Sequence, residues 1–241
     1  MKRFYRNWVK TKEFKKAHIV IEETDILFLS KKKLDLKFVN EKIYCLRQDI
    51  KNYIAIDKRF AVSLKPIAVE LNAPPIIRLM GEAAHLANVG PMAAVAGAVA
   101  QLLAGDLLRR GYNEIIIENG GDIFLSKQRN DRFISIFAGG SKLSGKVILR
   151  IKAGQTPCGV CASSATFGHS LSFGNADSVV SLAKNAALAD AVATAVCNLV
   201  RTSDDFDKAI KFAGKIAGVF GVLIILDDKL ASWGAVEINF S

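Results

Sequence analysis

The segment "NVGPMAAVAGAVAQLLAG", residues 88–105, constrains the fold more than any other part of the chain. It is apolar enough to be weighed as a membrane span, yet it carries Asn88, Pro91, Gln101 and three glycines and is barely long enough to cross a bilayer. Side chains this small serve the close approach of one backbone to another. A helix is therefore expected from Pro91, with Met92, Val95, Val99, Leu102 and Leu103 on one side and Gly111 as its stop. It calls for a tight core or a subunit contact, which leaves a homo-oligomer open. The second apolar run, "GVFGVLIIL" at 218–226, has the length of a buried strand, so no membrane span is expected.

Around that helix the pattern alternates between the two periods. Residues 18–30 read as two short strands about a polar turn, and Val39, Ile43, Leu46, Ile50 and Tyr53 mark a helix reaching Ile56, with Cys45 beside its packed stripe. "NAPPIIRLMGEAAHLANVG" reads as a helix opened by prolines and closed near Gly90. "YNEIIIENGGDIFLS" reads as strand, glycine turn, strand; further strands are expected at 133–137, 147–152, 178–183, 221–226 and 235–240, and helices at 186–200 and 204–218. Strands in consecutive runs with helices between them make this an α+β chain, read as a single domain over 1–241 with a basic segment at 1–17.

The net charge of +10 sits almost wholly at one end: residues 1–65 hold 17 of the 33 Lys+Arg against 8 of the 23 Asp+Glu. No nucleic-acid-binding module accompanies these charges, so a solvated basic face is expected and no specific nucleic acid. Four cysteines are too few for a disulfide scaffold in 241 residues, which makes a reducing cytoplasm the expected location.

Three motifs carry chemistry. In "ENGGD", Gly120 and Gly121 can take positive φ and admit a ligand to the backbone, flanked by the Asn119 amide and the Asp122 carboxylate; a plain hairpin turn explains the same residues. In "ADAVATA", Asp190 and Thr194 share a helix face and can offer two oxygens to Mg²⁺, or cap and back-bond within the helix.

The third is "CGVCASSATFGHSLSFG", residues 158–174, too rich in small and polar residues for an ordinary core strand. Its C-x-x-C lacks the two further ligands that a structural zinc needs, which leaves either an inert thiol pair or a single reactive Cys161. His169 can act on Cys161 or on the hydroxyls of Ser163, Ser164 and Thr166, or simply hold the loop.

Four blocks taken in order, "VGPMAAVAGAVAQ", "IIIENGGDIFLS", "CGVCASSATFGHSLSFGNAD" and "ALADAVATAVCN", closely resemble an uncharacterised protein family related to ApbE, the flavin transferase that moves FMN from FAD onto a protein threonine. The resemblance runs from about Thr24 to about Asn198. It implies an ApbE-like single domain, a mixed, largely antiparallel sheet with packed helices, and a ligand-binding cleft. It also implies ligand contacts from Gly120 and Gly121, a T-S-G-like turn at Ser163, Ser164 and Ala165, and a Mg²⁺ role for Asp190 and Thr194. Two departures stand beside it: Ala96 and Gln101 occupy the places of a lysine and an acidic residue, and "TFGHSLSFG" replaces a longer loop, so FMN transfer is not carried over.

The resulting expectation is a cleft that binds a small phosphorylated or nucleotide-like molecule, with Mg²⁺ or a flavin as the cofactors the resemblance brings in. Gly90, Pro91, Met92, Asn119, Gly120, Gly121, Asp122, Ser163, Ser164, Thr166 and Ser170 would line it, Cys161 and His169 would be its catalytic candidates, and Asp190 and Thr194 its metal ligands. The alternatives are a sulfur-mobilising thiol enzyme carrying persulfide on Cys161, and a non-catalytic interaction protein using the basic face.

Overall fold

Strand alternation and glycine turns set up the sheet. In the computed structural model, which describes residues 13–166 and 173–241, β1 (Lys15–Ile21) and β2 (Thr24–Ser30) form the expected hairpin, and β3 (Ile116–Asn119) and β4 (Asp122–Leu125) form the glycine-turn hairpin. Gly120 and Gly121 both have positive φ, +73° and +112°, the geometry of a two-residue turn whose twist matches its strands. β5 (Arg132–Ser135), β6 (Val147–Ile151), β7 (Cys158–Ser163), β8 (Ser178–Ala183), β9 (Val219–Leu226), β10 (Lys229–Gly234) and β11 (Glu237–Phe240) complete the strands. They form an antiparallel eight-stranded sheet in the order β1-β2-β3-β4-β7-β8-β9-β10 and a three-stranded sheet, β11-β6-β5. The fold is α+β and largely antiparallel.

The eight-stranded sheet is covered on both faces. One face, including Val160, Val180, Leu182, Leu223 and Ile225, packs on Val147, Leu149 and Ile151 of the small sheet. The other, including Ile26, Phe28, Ile117, Phe124, Val179 and Ile224, packs on helices α1 (Leu36–Ile56), α3 (Pro75–Ala87), α4 (Val95–Arg109), α5 (Ala186–Leu199) and α6 (Phe206–Gly214). A short α2 (Arg59–Val62) follows α1.

α5 is buried on nearly every side and apolar round most of its circumference, with Asp190 and Thr194 as buried polar exceptions. It lies along β7 and β8, α4 along β3 and β4, and α6 along β9. The stretch Pro91–Arg109 is long and apolar enough to cross a membrane by length and composition, but 50% of it is buried inside the fold, against α3, α5 and the sheet.

Several boundaries differ from the sequence reading. β7 is a central strand, although its composition argued against a core strand. Its small residues are there because α5 approaches the sheet closely: a Cβ on Gly159 would stand 2.4 Å from the Ala186 Cα. The strand expected at 235–240 is β11, Glu237–Phe240, in the small sheet; β10, Lys229–Gly234, was not expected, and it ends at Gly234, whose φ of +79° turns the chain toward β11. The helix expected over 204–218 is a 3-10 turn, Ser203–Asp205, followed by α6 ending at Gly214. Cys45 lies on the exposed side of α1 rather than beside its buried stripe of Val39, Ile43 and Ile50.

Candidate functional site

A cleft of about 2050 Å³ runs past the β3–β4 turn and is lined from both faces of the eight-stranded sheet, the helix side and the small-sheet side. Val89, Gly90, Met92 and Ala93 form part of its wall, and Asn119, Gly120, Gly121, Asp122, Ser163, Ser164, Asp190 and Thr194 also line it. Most of the residues singled out in the sequence therefore meet in one place. Pro91, Cys161 and Thr166 do not line it. His169 and Ser170 lie outside the described residues.

α4 and α5 hold the floor by capping each other. The residue before α4, Ala94, has no side chain to satisfy the first N–H groups of the helix, and the carboxylate of Asp190, on α5, accepts from Gly97 N–H at 2.9 Å instead. In return the Gln101 amide oxygen, on α4, accepts from Ala186 N–H at 3.0 Å and Ala187 N–H at 3.4 Å, beside the cap that Asn185 gives to Leu188 N–H at 2.8 Å. Gln101 thus fills a structural post at the start of α5. Such exchange needs the helices in backbone contact, which Gly97 permits: a Cβ there would stand 2.2 Å from the Ala186 carbonyl oxygen.

The hairpin is tied to the same joint. The Asn119 amide donates to the Ala96 carbonyl at 3.1 Å, Gly121 N–H donates to the Glu118 carboxylate at 2.7 Å, and Asp122 accepts from Ala162 N–H at 3.2 Å. Asn119, Asp122, Ser163, Asp190 and Thr194 are all buried, a polar floor in a largely apolar surround. The Ser163 hydroxyl is buried without a hydrogen-bond partner.

Burial pushes the Asp190 carboxyl well above the usual carboxylate range, and the nearby charge of Asp122 pushes it further, against the pull of the Gly97 and Ala96 N–H groups. Two oxygen acids this close, with α4 giving only partial compensation, make an electrostatic setting suited to a cation. Asp190, Asp122 and the hydroxyls of Ser163 and Thr194 are hard oxygen donors of the kind Mg²⁺ takes. A flavin or another nucleotide would find apolar walls for a heterocycle and, in this floor, polar anchors. Among the described residues, no group of three or more His, Cys, Asp and Glu side chains is arranged to hold a metal.

Cys161 sits beneath the floor rather than in it. It is fully buried, its Sγ lies 3.3 Å from the Ala186 carbonyl, and burial together with the charges of Asp122 and Asp190 raises its pKa well above that of an ordinary thiol. A nucleophile or persulfide carrier needs thiolate and access, and this placement denies both. Burial pushes the Cys158 thiol up to about 12, so the C-x-x-C pair is inert here. We expect Cys45, the exposed one of the four cysteines, to react quickly with a thiol reagent in the native protein. The other three should react slower by two or more orders of magnitude, on the order of an opening free energy of about 3 kcal/mol. Timed mass spectrometry of alkylation reads this, and fast labelling of Cys161 would return it to candidacy as a nucleophile.

Thr166 has a structural post, its hydroxyl 3.3 Å from both Ser164 Oγ and Asp177 Oδ1, while Asp177 also accepts from Asp227 N–H at 2.7 Å. The sequence reading missed Arg47 at the cleft mouth, which donates to Thr24 Oγ1 and Glu23, each at 2.6 Å, and to Glu22. It falls four residues after Ile43 and three before Ile50, on the buried stripe of α1, a spacing that the sequence already carried.

Comparison with known proteins places this architecture. A family model described as AbpE bacteria matches residues 6–216. A UPF0280 protein of Methanocaldococcus jannaschii is 42% identical over 226 residues, covering 92% of this chain and 91% of that protein. UPF0280 proteins of Methanosphaerula palustris and Methanococcus maripaludis are 42% identical over 223 residues and 37% over 228. Among solved structures, the flavin transferase ApbE from Vibrio cholerae superposes with a TM-score of 0.62 at 12% identity, covering 92% of this chain and 97% of that one. The ApbE protein of Thermotoga maritima superposes with a TM-score of 0.58 at 12% identity, covering 95% and 97%. At such identities the solved structures show the shared fold, and the sequence matches show the lineage: the chain belongs to the UPF0280 family of ApbE-related proteins.

Proposed function

We propose that this protein binds a small phosphorylated or nucleotide-like ligand in the cleft between the Gly90–Met92 turn, the β3–β4 turn and α5, together with a hard divalent cation held by oxygens of Asp190 and Thr194. The observation that carries the reading is the polar floor. Buried side chains from β3, β4, β7 and α5 converge in an apolar-walled cleft, and one of them, Ser163, has no partner within the protein. Buried polar groups left unmatched by the fold are costly, and a ligand that supplies the partner recovers that cost. The fold shared with flavin transferases makes flavin nucleotides the first ligands to try. When bound, the cation would offset phosphate charge. The chain itself orients the ligand through the Asn119 and Ser163 groups and through backbone exposed at Gly120 and Gly121.

Thermal unfolding in the presence of FAD, FMN or ATP, each with and without Mg²⁺, tests this. A ligand at a hundred times its Kd adds about 2.7 kcal/mol, which for a chain of this size raises Tm by about 5–10 °C. Stabilisation by at least one nucleotide, larger with Mg²⁺, is the expected result. No shift with any of them would remove the reading.

A further inference from the structure

Asp190, Thr194 and Asn198 recur every four residues along α5, so they share one face of the helix, and all three line the cleft. At a rise of about 1.5 Å per residue that face runs about 12 Å, from the polar floor at Asp190 to the last turn of the helix at Asn198. The floor holds polar groups. The Asn198 end carries a ring.

The described residues resume after β7 at Phe173, and the chain there is fastened to the end of α5. The Asn198 side-chain oxygen accepts from Phe173 N–H at 2.8 Å. Asn175 N–H donates to the Val200 carbonyl at 2.7 Å, and the Asn175 side-chain amide donates to the Arg201 carbonyl at 2.9 Å. Between them Gly174 lies against the helix backbone: a Cβ there would stand 1.8 Å from the Cys197 carbonyl oxygen and 2.7 Å from that of Val200. The main chain at Phe173 is therefore set by contacts on either side of it. Yet the residue is 47% exposed, and it lines the cleft beside Asn198. Phe14, Phe133 and Phe137 line the cleft elsewhere, Phe133 from β5 of the small sheet.

An apolar ring left half in water at a cleft gains by being covered, and a flat partner covers it best. Because its backbone is already held, little freedom is lost when a ligand lands on it. We propose that Phe173 is the stacking platform for a planar heterocycle, with Asn198 as its positioning residue, so that the cleft selects a nucleotide over a sugar phosphate that lacks the base. The inference rests on the cleft being a ligand site, and it adds where the ring lies and why a ring is required. The heterocycle covers Phe173 at the C-terminal end of α5, and the rest of the ligand runs along the Asn198–Thr194–Asp190 face toward the polar floor.

Calorimetric titration of the full-length protein with FMN, AMP and ribose 5-phosphate tests this. The wild type should bind FMN or AMP, and ribose 5-phosphate at least about tenfold more weakly. Stacking of a base on an aromatic side chain is worth about 5- to 150-fold in affinity by alanine substitution. Phe173→Ala should weaken the nucleotide by a factor in that range, leave ribose 5-phosphate where it was, and unfold without ligand at the wild-type temperature. Phe173→Tyr, which keeps the ring, should restore nucleotide affinity. Asn198→Ala should weaken the nucleotide as well, and the double variant should be no weaker than Phe173→Ala, because Asn198 acts through the ring. Additive losses would make Asn198 an independent contact and overturn its positioning role. Equal nucleotide affinity in Phe173→Ala and the wild type overturns the stacking proposal and leaves the ligand site standing; equal losses for nucleotide and ribose 5-phosphate overturn it too. If the wild type binds neither FMN nor AMP, the ligand-site reading falls and this inference falls with it.

Discussion

Gly97→Ala lowers the stability of this protein by about 3 kcal/mol, near the top of the range for overpacking a core, and Tm by about 6–12 °C. Helix propensity argues the other way, since alanine in a helix interior is favoured over glycine by about 1 kcal/mol. Geometry decides the sign. The new Cβ would stand 2.2 Å from the Ala186 carbonyl oxygen, 2.6 Å from its carbon and 2.9 Å from the Asp190 Cβ, and two of those atoms are backbone of the most buried helix in the fold. To make room α4 and α5 must part, which also breaks the Asp190 and Gln101 caps that each lends the other.

Gly105→Ala is the internal control: on the same helix its Cβ would meet only the end of the Arg109 side chain, at 3.6 Å. There the propensity term acts alone, and the variant should be unchanged or stabilised by up to about 1 kcal/mol. Chemical denaturation of the pair reads both signs at once. If Gly97→Ala were as stable as Gly105→Ala, the two helices would not be in the backbone contact described.

Gly90→Ala has its largest effect on the cleft wall. Gly90 has an ordinary extended conformation, φ −72° and ψ 154°, so its role is one of space rather than of conformational freedom. A Cβ would fall 1.7 Å from the Ser63 carbonyl oxygen and 3.2 Å from the Leu64 Cα. Either the Ser63–Leu64 segment or the Gly90–Met92 turn must move, and both line the cleft.

The expected outcome is a stability loss of about 1–3 kcal/mol together with a smaller nucleotide-induced rise in Tm than the wild type shows. Gly154→Ala, where a Cβ meets no heavy atom within 4 Å, should change neither. Thermal unfolding with and without nucleotide measures both quantities. A Gly90→Ala protein that unfolds and responds like the wild type would show that this wall yields without cost and does not shape the site.

Arg47 and Cys161 mark where reading residues in sequence stops working. Arg47 shares the helical spacing of Val39, Ile43 and Ile50, which turns it inward, but that spacing does not say that Thr24, Glu22 and Glu23 pin it at a cleft mouth. A thiol in a small-residue stretch looks accessible until a helix is laid on it. The polar composition of "CGVCASS" argued against a core strand because strands are usually read by the bulk of their inward side chains. Here the helix fills the space that bulk would have taken, and Gly159, Cys161 and Ser163 are small because α5 is near.

The sequence alone determined the features that depend on local chain physics. These are the positive-φ glycine turn at 120–121, the hairpin of residues 15–30, the period of α1, the small-residue helix after Pro91, and the shared face of Asp190 and Thr194. Tertiary structure decided everything that depends on which backbones touch. It made Gln101 and Asp190 reciprocal caps 85 to 93 residues away from their partners, set Asp122 against Asp190, left the Ser163 hydroxyl unmatched, and shut Cys161 away from solvent. The physical reason is range. Propensity, periodicity and turn chemistry act within a few residues, whereas desolvation and the sharing of N–H groups between helix ends are properties of neighbours in space, and these exist only once the chain has packed.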